Sequence, residues 1–104
     1  MIRKGSKMKV YPHAFEEYKK RHDELWPEMA DMLRAHGAKD YSIFLDEETG
    51  TLFAYVTIAS EKRWSEVAET AICQKWWQYM KDIMETNEDG SPVSQELKEV
   101  FYLS

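Results

Sequence analysis

At 104 residues and 43% hydrophobic content, the chain is expected to fold as one domain spanning 1–104, around a single core of adequate size. A formal net charge of −5, with Lys and Arg interspersed among carboxylates, argues against a nucleic-acid partner. No apolar run approaches the roughly 20 residues of a membrane helix, and the first residues lack the apolar block of a secretory signal, so no membrane partner and a cytoplasmic location are expected. The only cysteine, Cys73, excludes an intrachain disulfide, and no neighbouring base in the sequence activates it.

In chain order, Ile2 to Val10 reads as a first strand with Ile2, Met8 and Val10 on one face, although Gly5-Ser6-Lys7 makes its middle unusually polar. Pro12 suits the first turn of a helix, and Phe15, Tyr18, His22, Trp26, Met29 and Leu33 then follow the spacing of one helical face to Ala35, where His36 and Gly37 close it. Pro27 must kink or divide that helix, since its ring clashes with the carbonyl of Asp23. Two helical pieces meeting near His22 and Trp26 would make a pocket wall. Tyr41 to Asp46 and Leu52 to Ile58 are strand-like runs joined by Glu47-Glu48-Thr49-Gly50, a connection that suits an antiparallel hairpin.

Ser60 is placed to cap a second helical region reaching about Met84, with Ile72, Trp76, Tyr79 and Ile83 at helical spacing and a bend near Glu69 and Thr70. Thr86 to Val93 is a loop, and the alternation from Leu97 to Leu103 predicts a last strand. This order is the α+β, ferredoxin-like βαββαβ arrangement, with the helices on one face of a four-stranded antiparallel sheet. Phe53, Tyr55 and Phe101 then lie on a face the helices cannot reach. Pairing two sheets face to face in a homodimer is the simplest cover.

His22 is the strongest candidate for chemistry: a titratable imidazole on an inward stripe, one turn from Tyr18, with Arg21, Asp23 and Glu24 nearby. The alternative is a core histidine bonded to a backbone carbonyl or to Tyr18. His36 is explained by its helix end, and His13 with Glu17 is weak support for a metal site. Trp76 and Trp77 point about 100° apart on a helix, so if Trp76 fills the core, Trp77 faces elsewhere, as an interface residue or as a flat platform for the C–H face of a sugar. Tyr41, at a strand start, either packs inward or offers a phenol to a pocket. Phosphate loops, HExxH, paired-cysteine zinc spacing and a nucleophile elbow are all missing.

Taken together, Tyr18, Arg21-His22, Leu25-Trp26-Pro27-Glu28, His36-Gly37-Ala38, Tyr41, Trp76-Trp77 and Ser91-Pro92-Val93 with Glu99-Val100-Phe101 closely resemble the L-rhamnose mutarotase family, essentially end to end. The resemblance implies a cofactor-free, metal-free homodimer with the dimeric α/β-barrel fold, acting on L-rhamnose as an isomerase at the anomeric carbon. It puts the family's proton donor at His22 and its sugar-binding positions at Tyr18, Tyr41, Trp76 and Trp77. The polar Gly5-Ser6-Lys7 in the first strand departs from the family pattern. Two other classes remain open from the residues alone: a monooxygenase of the same architecture, with or without haem, and a non-catalytic sugar-sensing dimer.

Overall fold

Alternation in the strands and three-and-four spacing in the helices build a two-layer structure, described by a computed structural model for residues Met1–Ser104. In chain order it contains β1 (Ile2–Lys9), α1 (Phe15–Asp23), α2 (Pro27–Ala35), β2 (Ala38–Asp46), β3 (Thr51–Ile58), α3 (Glu61–Val67), α4 (Ala71–Met80) and β4 (Gln95–Leu97), with a 3₁₀ turn at Pro12–Ala14 leading into α1. The strands form one sheet in the order β2-β3-β1-β4, every neighbouring pair antiparallel. This is the expected ferredoxin-like topology.

Register decides which residues meet the helices. Ile2, Lys4, Ser6 and Met8 of β1 stand opposite Ile58, Val56, Ala54 and Leu52 of β3. Those four β3 residues are buried, Leu52 and Ile58 to within 1% of complete, so this is the helix-covered face. Leu52, Val56 and Ile58 each contribute about 1.5–3 kcal/mol by this burial. Val10, Met29, Cys73, Trp76, Met80, Ile83 and Met84 join Leu52 in the core. Phe44 and Phe53, paired across β2 and β3, lie on the other face and are 68% and 41% exposed.

The helix punctuation follows the local chemistry. α1 stops at Asp23 and α2 begins on Pro27, whose missing N–H costs nothing at a first helical position. Gly37, at φ +87°, ends α2, and a Cβ there would lie 2.8 Å from that of Ala59. Ser60 Oγ accepts from Arg63 N at 3.1 Å at the start of α3. Thr70 Oγ1 accepts from Cys73 N at 3.3 Å at the start of α4, which is the expected bend.

Three expectations are corrected. The second helical region ends at Met80, and Ile83 and Met84 are buried beyond it in a turn whose Tyr11 N–H to Ile83 carbonyl bond anchors it to the start of the chain. The last strand is Gln95–Leu97 only: three residues pair with Lys7 to Gly5, and residues 98–104 carry no ladder. Alternation there reflects a different contact, because Arg3 makes a bidentate ion pair with Glu99 at 2.6 and 3.0 Å and lies 3.6 Å above the ring of Tyr102. Finally, the first strand stops at Lys9, with Val10 held only by an isolated bridge to Met84, and its polar middle pairs in unbroken register on both sides.

Candidate active site

The break between α1 and α2 leaves His22 on the last turn of α1, one turn beyond Tyr18. The two rings stack with centroids 4.4 Å apart, and His22 Nδ1 lies 3.1 Å from the Tyr18 carbonyl oxygen. A carbonyl only accepts, so Nδ1 carries the proton and the neutral ring keeps its lone pair on Nε2. Of the two partners the sequence left open for the imidazole, a backbone carbonyl or the Tyr18 side chain, the structure shows the first. The Tyr18 ring serves instead as a stacking surface.

α4 supplies the next contact: Trp76 meets His22 edge to face at 5.4 Å and Trp26 edge to face at 5.0 Å, while Trp26 stacks on Tyr79 at 5.3 Å. Arg21 locks α1 to the end of α4. Its guanidinium donates to Glu17 at 2.8 Å, to the Tyr79 carbonyl at 2.6 Å and to both oxygens of Asp82 at 2.9 and 3.2 Å, and it sits 4.3 Å from the Tyr79 ring. These contacts hold the Asp82 carboxyl below, and the Arg21 guanidinium above, their ordinary pKa values.

Between these helices and the sheet runs an open cavity of about 1530 Å³, lined among others by Tyr18, His22, Tyr41, Trp76 and Trp77. All five predicted site residues therefore meet on one cavity. Trp77 does not face away as its helical angle suggested; it is half-buried and packs against the core while lining the same space. Tyr41 stands at the cavity's rim beside Trp64, with ring centroids 6.1 Å apart, and is 44% exposed.

Burial sets the electrostatics. It lowers the pKa of His22 below the ordinary 6.5, partly offset by the Tyr18 carbonyl and by Asp23. Burial raises the phenol of Tyr18, with Tyr41 adding to the effect, so Tyr18 stays protonated as a donor. The Cys73 thiol is pushed up to about 11 by burial, which suits a packing residue better than a nucleophile. No cluster of three or more His, Cys, Asp or Glu side chains is placed to hold a metal ion.

Sequence reasoning missed Trp64, Lys4, Ser6 and Glu96, which also line the cavity. For Lys4 and Ser6 the signal was present: they share a strand face with Ile2 and Met8, so polar residues there mark a wetted wall.

Comparison with known proteins gives this geometry a context. A sequence profile of the L-rhamnose mutarotase family matches residues 3–103. The L-rhamnose mutarotase of Shouchella clausii is 64% identical over 104 residues, the whole of both chains. The crystal structure of L-rhamnose mutarotase FA22100 from Formosa agariphila superposes with a TM-score of 0.92 at 45% identity, again over the full length of both. A solved antibiotic biosynthesis monooxygenase covers 96% of this chain and 99% of its own at a TM-score of 0.63, but at 11% identity that likeness concerns the dimeric α/β-barrel fold alone. With the match running the length of the chain in both sequence and fold, the chain belongs to the L-rhamnose mutarotase family.

Proposed function

We propose that the chain, acting as one domain over 1–104, interconverts the α and β anomers of L-rhamnose, with His22 as the proton donor to the ring oxygen. The observation that carries the reading is a tethered imidazole on an aromatic-lined cavity in a chain of this family. In the cationic form, Nε2–H gives its proton to the ring oxygen as the bond from that oxygen to C1 breaks. The anomeric hydroxyl loses its proton to water or a nearby carboxylate, and C1 becomes an aldehyde. Rotation about C1–C2 presents the other carbonyl face, and return of both protons by the same route closes the ring as the other anomer. These proton transfers balance without a change of oxidation state.

A lowered pKa makes the His22 cation a stronger acid, and the Nδ1 tether fixes which nitrogen works. Tyr18 and Tyr41, protonated, serve as donors to sugar hydroxyls, while Trp76 and Trp77 receive the C–H face and the methyl of the 6-deoxy sugar. The same reading makes the active protein a cytoplasmic homodimer, its pairing supported by the exposed Phe44 and Phe53; no helix is long and apolar enough to cross a membrane. Saturation transfer between the anomeric protons of equilibrated L-rhamnose is the test. Exchange that rises with protein and disappears in His22→Ala is expected; no exchange at high protein concentration would dismiss the proposal.

A further inference from the structure

The proposed reaction uses the helix side of the cavity and leaves its sheet side unexplained. A strand paired on both sides ordinarily shows apolar residues to the helices, yet β1 presents Lys4 and Ser6 between Ile2 and Met8. Lys4 Nζ donates to Glu96 Oε1 at 2.7 Å and to Glu61 Oε1 and Oε2 at 3.2 and 3.4 Å. Glu96 stands directly opposite Ser6 in the β1–β4 register, so both side chains are on the cavity face. Lys4, Ser6 and Glu96 all line the cavity shared by His22, Trp76 and Trp77.

The Lys4 side chain is 21% exposed and that of Glu96 70%, so the pair joins the half-buried stem of Lys4 to a carboxylate open to solvent. The group keeps hydrogen-bonding capacity: Glu96 Oε2 receives no donor from the protein, and the Ser6 hydroxyl makes no hydrogen bond within it, so both are open to water or to a ligand in the cavity. A carboxylate held by a cation with one oxygen free, beside an unengaged hydroxyl, offers acceptors and a donor to adjacent hydroxyls of a ligand.

We propose that Lys4, Ser6 and Glu96 form a hydroxyl-binding wall that orients the sugar ring against the aromatic wall of the helices, and so select among 6-deoxy sugars by their ring hydroxyls. This rests on the mutarotase reading. Glu96 accepts from the sugar, Ser6 donates or accepts beside it, and Lys4 fixes the carboxylate. They are positioning residues with no part in proton transfer.

Anomer exchange measured against concentration for L-rhamnose and its 2-, 3- and 4-deoxy analogues, with wild type, Glu96→Gln and Ser6→Ala, tests the wall. Glu96→Gln is expected to raise KM about tenfold with kcat within about twofold, and to erase roughly tenfold discrimination against the one analogue lacking the bonded hydroxyl. Ser6→Ala should shift KM in the same direction by about threefold. A purely structural ion pair would not reorder the analogues. Wild-type KM values and ranking in both folded variants would remove the inference. Should Glu96→Gln fail to fold, the single oxygen lost in Ser6→Ala decides it alone, unchanged kinetics counting against. Wild-type exchange that is lost in His22→Ala while the wall variants behave normally leaves the mutarotase reading standing without this wall; no wild-type exchange removes both.

Discussion

The two faces of the sheet are made by the same strands and meet opposite fates. On one, Leu52, Ala54, Val56 and Ile58 are sealed under the chain's own helices, and the covering leaves a cavity on which His22 and the tryptophans converge. On the other, Phe44, Phe53, Tyr55 and Leu97 have no helix over them. The difference teaches that a two-layer fold of this length supplies only one internal interface, so the covered face can host chemistry while the open face is the one on which the proposed dimer would assemble. Changes to the covered face should therefore alter catalysis and spare assembly, and changes to the open face should do the reverse.

The largest effect expected on the covered side is that of His22→Ala. Loss of positioned proton transfer should slow anomer exchange by about 10²–10⁴-fold while the oligomeric state in sedimentation stays that of wild type. On the open side, Phe53→Glu sets a charge against the paired Phe44 and should convert the proposed dimer to monomer at micromolar concentration. A variant that still sediments as a dimer would mean that the sheets do not meet through this face.

Next comes the aromatic wall. Trp77→Ala and Tyr18→Phe should raise KM by about three- to tenfold with smaller changes in kcat, again without dissociation. Arg21→Met, which cuts the tie between α1 and α4, should lower stability by about 1–3 kcal/mol in denaturant unfolding, and the stacked rings beneath it should loosen accordingly.

The smallest and sharpest test is pH. Because the folded state disfavours the His22 cation, a donor role predicts exchange that falls as pH rises through a pKa below 6.5; a rise over that range would make His22 the base instead. Stability carries the opposite sign. A histidine whose pKa is lowered by folding costs nothing above its unfolded value and destabilises the fold as pH drops through the folded one. His22→Gln should thus lose part of the acid-side decline in thermal stability and match wild type above that range.

Much of the site was legible in the chain because helical spacing is local. Tyr18, His22 and Trp26 are on one stripe for geometric reasons alone, and Pro27 divides the helix wherever that sequence folds. The strand carrying Leu97 misled because alternation records only which way side chains point; whether a ladder forms depends on a partner, and β1 offers only Gly5 to Lys7. Lys4 and Ser6 were legible as polar positions on an inward strand face, but that they line a cavity depends on the helices standing far enough away.

By itself, then, the sequence determined the order of the elements, their breaks and caps, and the company that Tyr18 and His22 keep, since each depends on neighbours within a few residues. The tertiary structure decided the rest. The Tyr18 carbonyl, and not its phenol, holds His22, Trp76 and Trp77 open onto one cavity, and Glu96 reaches Lys4 across a β1–β4 pairing. Each of these joins residues distant in the chain or turns on angles of a few tens of degrees, and such relations are fixed only when the layers pack.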